Sequence, residues 1–347
     1  MKTNYFSLFL MMLSFLATAQ TIHTVDNRDQ SGAMFTVLQD AIDAASAGDI
    51  IHIHPSPNTY GSVQVGKTLT IMGLGHNPAI NNDEISRLTT LTFIGSSAGS
   101  IVKGLTISSI NSGSSTNASD LDNIYIVNNN ITSTVIGSAS ANLSDNWIVE
   151  GNYFTGTGSN ITPQINSDSW QMRNNFMRGR FTNVNNTCTI TNNVLITTLN
   201  TFTFFSNCND PFVANNIFLA DSNLTEIGLS TTSSISFVSN LTYNFTGVTI
   251  NALNGSNNLN NTNPQFLNVP LASVLDFYNN DFGLANGSSA INAGSDGTDI
   301  GLTGNNFEFD NNGRPNLTPY PISITITNSV VAPGQNLNVE FSAAQKQ

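Results

Sequence analysis

The sequence predicts an all-β fold, a right-handed parallel β-helix solenoid with an N-terminal capping helix and a C-terminal β tail. Three observations predict it: apolar residues recur at a fixed period, an asparagine column recurs with them, and only 9% of the 347 residues are charged, against about 25% in ordinary globular chains. The segments IVKGLTI, IVNNNIT, IVEGNYF, QMRNNFM, TITNNVL, FVANNIF, FVSNLTY and GSNNLN align on one position. They place Leu105, Asn130, Asn152, Asn175, Asn193, Asn216, Leu241 and Asn258 in a column with a mean spacing of about 22 residues, a period at which solenoids are expected. Three residues earlier stand Val102, Val127, Val149, Met172, Ile190, Val213 and Val238. Two residues later stand Ile107, Phe154, Met177, Leu195, Phe218 and Tyr243, with Thr132 and Asn260 breaking the pattern.

Strand side chains alternate between faces, so apolar residues at fixed offsets share an interior. One coil cannot bury that face alone; stacked coils build a continuous core. Asparagine between two strands suits a tight bend, because it tolerates left-handed backbone angles and bonds locally. Identical amides stacked in a file also bond along it. A disordered chain of polar composition lacks such regular apolar content.

Taken in order, residues 1–19 read as an export signal: Lys2, an apolar core from Phe6 to Leu16, then Ala17, Thr18 and Ala19 before Gln20. The apolar run is short for a membrane span of about 30 Å, so no membrane insertion is expected once the signal is cleaved, and the protein is expected to be secreted, extracellular or at the cell surface. Residues 20–66 form an N-terminal cap, in which Phe35, Leu38, Ala41, Ile42 and Ala45 share one helical face and Gly48 suits the stop. Residues 67–313 form the β-helix and its turn-rich closing segment. Residues 314–347 hold a linker with Pro315, Pro319 and Pro321, then two strands around Ala332, Pro333 and Gly334.

FTVLQDAIDAASAGDIIHI followed by KTLTIMGLG resembles the opening of secreted right-handed parallel β-helix proteins of the pectin-lyase-like kind. GSSAINAGSDGTDIG, with Asp299-Ile300-Gly301, is similar to the closing segment of secreted bacterial members of Bacteroidetes type. The resemblance covers nearly all of the mature chain and implies the fold. That group includes lyases, hydrolases, esterases and adhesins, so the fold alone does not name an activity.

The net charge of −12 argues against nucleic-acid partners, whose phosphates demand Lys and Arg. The polygalacturonase-like motifs are missing from the coils. Asp145 and Asp168 stand seven residues before Asn152 and Asn175, as a carboxylate pair on adjacent coils or as solvated turn residues. Arg173, Arg178 and Arg180 cluster in a chain poor in cations. Glu150 precedes Arg173 in the same outward column, which predicts either an ion-paired outer face or a site for an anionic saccharide. Tyr125, Trp147 and Trp170 align with Cys188 five residues before the asparagine column; strict alternation places that column inside, whereas a later strand start turns the rings outward as a platform for sugars. His52 and His54 share a strand face without an evident third metal ligand. Asp296, Asp299, Glu308 and Asp310 offer oxygen ligands for calcium, or simply cap turns. No other cofactor is expected. Cys188 and Cys208 lie nearly one repeat apart, which allows a disulfide or two inert buried thiols.

Two functions follow. The favoured one is a noncatalytic β-helix that binds a polysaccharide or cell-surface glycan through its flank. The alternative is a polysaccharide-active enzyme, a lyase acting on an anionic polysaccharide, although no active-site motif supports it.

Overall fold

In the computed structural model the described residues are 20–345, apart from 116, 118, 139–143, 159, 270–276, 316–318, 329–330 and 332. The export signal assigned to residues 1–19 lies outside them. The architecture is a parallel β-helix. A first sheet of 11 strands runs from Ile22–Val25 to Gly255–Ser256, with strand pairs one coil apart. The first coils carry long strands, Arg87–Ser96, Thr106–Ser112 and Asn130–Ile136, that bend around the remaining perimeter. After Asn130–Ile136 that long face divides. Asn130 and Ile131 pair with Tyr153 and Phe154, while Thr134 and Val135 pair with Asn160 and Ile161, so later coils have three short sides. Strands Ile22–Val25 and Ile50–Ile53 pair in register with the following first-sheet strands. The sheet therefore begins inside the segment assigned to the cap.

Register corrects the repeat. Val149 pairs with Ile126, not Val127, and Val213 pairs with Phe237, not Val238. The asparagine file is Asn129, Asn152, Asn175, Asn193, Asn216, Asn240 and Asn258, preceded by Leu105. Two coils move by one residue relative to the sequence alignment; the shift removes Thr132 as an exception, while Asn260 keeps its place two residues after Asn258. Ile131 and Thr242, rather than Thr132 and Tyr243, occupy the inward column, and both are fully buried.

The hydrogen bonds of the file explain its constancy. Asn152 Nδ2 donates to Asn175 Oδ1 at 3.1 Å, to Ile126 O at 2.9 Å and to Glu150 O at 3.0 Å, while its backbone N–H also reaches Asn175 Oδ1 at 3.0 Å. Asn175 and Asn216 repeat this pattern, and Asn193 repeats it without the bond to its own coil. Each amide thus satisfies backbone groups that the bend would otherwise leave orphaned in the interior.

The left-handed residue is the one before. Gly104, Asn128, Gly151, Asn174, Asn192, Asn215, Ser239 and Asn257 all have φ between 52° and 70°. The corner is therefore a two-residue device, with the turn in the first residue and the ladder in the second.

Inside the coils, the first sheet contributes Val102, Ile126, Val149, Met172, Ile190, Val213 and Phe237, all buried. Trp147 and Trp170 stack with ring centroids 4.6 Å apart, and their indole N–H groups donate to Leu121 O and Ser144 O, both at 2.6 Å. This agrees with the inward placement. Tyr125 leaves that column, because the shift of one residue puts Ile124 there and turns Tyr125 outward. The helix is Leu38–Ala44, and it buries Leu38, Ala41 and Ile42 against the first coils.

The closing segment departs most from expectation. It does not simply end the coils; it runs back along the flank as a strap. Phe277, Phe282, Ala290, Ile300 and Leu302 pack on Tyr153, Phe176, Val194, Ile217 and Leu241, the outward residues that follow the ladder, and so form a second core. The strap is tied to the left-handed corner residues. Asn215 Oδ1 accepts from Ser295 N at 2.7 Å, and Asn192 Nδ2 donates to Asp299 O at 3.2 Å. Asn174 Nδ2 donates to Leu302 O at 3.2 Å, and Asn128 Nδ2 to Arg314 O at 3.5 Å. Where the strap sits directly on the corner, the corner residue is glycine. A Cβ on Gly104 would lie 2.6 Å from Pro315 Cγ, and one on Gly151 would lie 2.3 Å from Phe307 Cζ. The tail strands Pro319–Ile326 and Val339–Gln345 pair antiparallel, with Ile324 and Phe341 directly opposed and exposed.

Replacing a ladder amide with a carboxylate sets a buried charge against acceptors. Asn175→Asp faces Val149 O, Arg173 O and Asn193 Oδ1 without a donor. Denaturant titration at neutral pH is expected to show a loss of about 3 kcal/mol or more. Asn258→Asp, at the partly exposed end of the file, is expected to cost about 1 kcal/mol.

Candidate functional site

The outer face of the first sheet carries two side-chain files. One holds Ile101, Tyr125, Ile148, Gln171 and Thr189; the other holds Met72, Lys103, Val127, Glu150, Arg173 and Thr191. Glu150 and Arg173 are direct neighbours across adjacent strands, as their sequence columns implied. Arg173 Nε donates to Glu150 Oε1 at 2.6 Å and Nη2 to Oε2 at 3.4 Å, while Nη1 donates to Gln171 Oε1 at 2.6 Å. Tyr125 donates its hydroxyl proton to Glu150 Oε2. Burial, and then the Glu150 carboxylate, push the Tyr125 phenol upward from its ordinary value. The pair is not a loose surface bridge. The Glu150 side chain is only 6% exposed, against 37% for Arg173, so the carboxylate depends on its two donors.

The strap supplies the opposite wall. A cleft of about 290 Å³ is lined by Glu150, Arg173, Thr191, Asp296, Asn305 and Phe307. On the other side of Phe307 a second cleft of about 160 Å³ is lined by Ile101, Lys103, Tyr125, Val127 and Pro315. Phe307 is half-buried over Gly151 and forms the saddle between them.

The other candidates separate from this groove. Arg178 follows the strand Phe176–Met177 and lines a small depression with Thr157 and Leu199. Arg180 begins the third-side strand Arg180–Thr182, and its guanidinium lies 4.9 Å from the Phe202 ring centroid as a cation–π contact. Of the three arginines, only Arg173 belongs to the first sheet. Among the acidic candidates, Asp296 lines the groove and accepts from Thr298 Oγ1 at 2.7 Å, Thr298 N at 3.1 Å and Asn215 Nδ2 at 3.3 Å. Asp299 accepts from Asn292 N at 2.8 Å, and Asp310 accepts from Asn312 N at 2.9 Å and Arg314 N at 3.2 Å. Glu308 is exposed. Among the described residues no three His, Cys, Asp or Glu side chains group as metal ligands; Asp296, Asp299 and Asp310 accept backbone hydrogen bonds at turns of the strap.

Of the two arrangements the cysteine spacing allows, Cys188 and Cys208 have that of free, buried thiols in this structure. Cys188 leads into the first-sheet strand Thr189–Thr191, whereas Cys208 follows the third-side strand Phe205–Ser206. The two sulfurs therefore occupy different stations of the coil. Burial pushes the Cys208 thiol up to about 11 and raises that of Cys188, which leaves both unreactive near neutral pH. Asp145 and Asp168 do stack, with Asp122 as a third member. Asp122 Oδ1 accepts from Asp145 N and Asp145 Oδ1 from Asp168 N, both at 2.8 Å. This file is a turn device. Burial pushes Asp145 upward, with the carboxylates above and below adding to it.

His76 holds the strap to the coils. Its Nδ1 donates to the Tyr278 hydroxyl at 3.0 Å, because that hydroxyl gives its own proton to His76 O at 2.9 Å; the same oxygen also accepts from Asn130 Nδ2 at 3.2 Å. The ring packs among Tyr153, Phe277 and Tyr278, and Gly313 closes over Nε2. Burial holds this imidazole down at about 4, against the partial opposition of Asp310. Burial and then His54 likewise hold His52 at about 4.

No family model matches this sequence, and no curated protein matches it. Among the described residues no helix is long and apolar enough to cross a membrane. Glu150 and Arg173 are legible in the sequence columns, whereas Tyr125, aligned there with the inward tryptophans, faces outward. Lys103 is marked in the sequence only by its place two residues before Leu105, as Arg173 stands two before Asn175. Phe307 and Asn305 join the groove only through the strap's return path, which carries no signal in the repeat.

Two measurements follow. Removing the cation strands a buried carboxylate with one donor, so Arg173→Met is expected to lower unfolding free energy by about 2 kcal/mol, allowing for the exposure of the arginine. Glu150→Gln, whose one oxygen still accepts from Arg173 while its amide N–H can donate to the Tyr125 hydroxyl oxygen, is expected to cost less than half of that. The second is pH-dependent. Unfolded histidine takes its proton near about 6.5, while native His76 and His52 wait until about 4. Between those values the unfolded chain binds more protons, so their stabilising contribution is complete above about pH 6.5 and is shed as pH falls toward 4. Denaturant titrations from pH 7 to pH 4 are expected to show a loss on the order of 3 kcal/mol from His76 alone. His76→Gln should flatten the curve to the part that belongs to His52.

Proposed function

We propose that this protein is a secreted, noncatalytic β-helix that binds a glycan in the groove between the outer face of its first sheet and the strap. The observation that carries the reading is the composition of that groove. The Glu150–Arg173 ion pair and the side chains of Thr191 and Thr298 surround the half-buried ring of Phe307. Paired charges and hydroxyls suit sugar hydroxyl groups that both donate and accept, and an aromatic surface suits the C–H face of a sugar ring.

Within the cleft that holds the Glu150–Arg173 pair, the arrangement speaks against turnover. Elimination from a uronate needs a base near its working pH and a cation free to neutralise developing charge. The Tyr125 phenol is pushed away from neutrality, and Arg173 already neutralises Glu150. Export is supported by Lys2, the apolar run from Phe6 to Leu16 and the small residues before Gln20.

The test is a glycan panel that includes alginate, pectate, chondroitin and neutral polymers. Retention of the protein is followed by affinity electrophoresis, and unsaturated products by ultraviolet absorbance. Binding to at least one glycan without such products is expected, with Phe307→Ala weakening it about tenfold, or roughly 1.4 kcal/mol. Accumulation of unsaturated products would establish the lyase instead. Failure to bind any member, or binding indifferent to Phe307→Ala, would remove the groove as the site.

A further inference from the structure

The smaller cleft beside Phe307 contains a cation in an unusual position. Lys103 lies in the outward file of the first sheet, with Met72 and Val127 as its cross-strand neighbours. Neither can pair with an ammonium. The nearest acidic member of the file is Glu150, two strands along, which at strand spacing is about 9.6 Å away, and that carboxylate is already held by Arg173 and Tyr125. Among the described residues no carboxylate pairs with Lys103. The cleft around it is mainly apolar or aromatic, with Ile101, Val127, Tyr125, Phe307 and Pro315 forming its walls. Burial accordingly lowers the lysine's affinity for its proton, with no compensating charge. A half-buried ammonium without a counter-ion is costly unless a partner arrives from outside.

We propose that the Lys103 cleft is a subsite for an anionic substituent, a carboxylate or a sulfate, carried by one sugar of the glycan. The inference rests on the groove being a glycan site and adds the chemistry of one unit within it. A volume of about 160 Å³ is roughly that of five waters. It accommodates one charged substituent and the edge of its ring, with Phe307 against the C–H face. The larger cleft, where Arg173 and Glu150 neutralise each other, takes the uncharged neighbouring unit. The two clefts thus divide the labour: charge recognition on the Lys103 side of Phe307, hydroxyl recognition on the other.

The test titrates the full chain with sodium glucuronate, glucose 6-sulfate and glucose, followed by ligand-observed NMR. The wild-type protein is expected to bind one or both anionic sugars at least tenfold more tightly than glucose, and the two probes distinguish carboxylate from sulfate as the preferred group. Lys103→Met, which preserves the apolar packing, and Lys103→Gln, which keeps a polar head without charge, should both abolish that preference, so that the anionic sugars bind no more tightly than glucose. Thermal melts of both variants report that the coils are intact. Equal binding of charged and neutral sugars by the wild type, or a preference that survives both substitutions, would overturn the subsite. The broader glycan reading separates cleanly. If polymers are retained without regard to charge, the subsite falls and the groove stands. If polymers are not retained but glucuronate binds through Lys103, the groove reading falls and the subsite stands. If no sugar binds, both fall.

Discussion

The structure depends on keeping the backbone satisfied at one recurring corner. A chain that turns sharply between two buried strands leaves amide and carbonyl groups pointing into an apolar interior, where an unmade hydrogen bond costs several times what a made one contributes. Here the problem is solved in the coils from Asn129 to Asn258 by two adjacent residues with different duties. The first adopts a left-handed conformation and makes the turn; the second points its amide inward and bonds to the coils on either side. Because the inward amide contacts its equivalents, it also holds the register. A strand displaced by one residue loses the file and brings its outward side chains into the core.

That division of labour explains how far the sequence could be read. The period, the apolar columns and the outward pairing of Glu150 with Arg173 were all visible. The uncertainty came where adjacent residues offered the same chemistry. In Asn128-Asn129-Asn130 three consecutive amides compete for one station, and in Ser239-Asn240-Leu241 an apolar residue beside the asparagine imitates the Leu105 end of the column. Ile131 and Thr242 settle the frame, since only one alignment puts both inside. The strap was illegible for a different reason. It belongs to no repeat, and the Asn215, Asn192, Asn174 and Asn128 side chains that bind it look identical in sequence to residues needed only for turning. Glycine at 104 and 151, where asparagine stands in other coils, was the one trace of close approach.

The candidate site is a product of both systems. A solenoid flank by itself offers rows of side chains on a gently curved surface, with little concavity. The strap provides the missing wall and sets an aromatic ring between two clefts of different character. Its own attachment relies on His76, sealed among Tyr153, Phe277 and Tyr278. Groove and anchor lie on the same structural path, so the shape of the site is coupled to how firmly the strap is seated. The sparse charges are used locally: Glu150 and Arg173 stabilise each other, whereas Lys103 remains without an internal counter-ion.

The strap also changes how such a molecule comes apart. In a simple stack, each turn touches only the turns above and below, and disorder entering at an end can advance one layer at a time. A segment sewn to corners at Asn215, Asn192, Asn174 and Asn128 lies across layers far apart in the chain, like a spine across the pages of a book. Loosening any one layer must also strain the attachments of the others. Unravelling thereby acquires a long-range cooperativity that nearest-neighbour stacking alone does not provide.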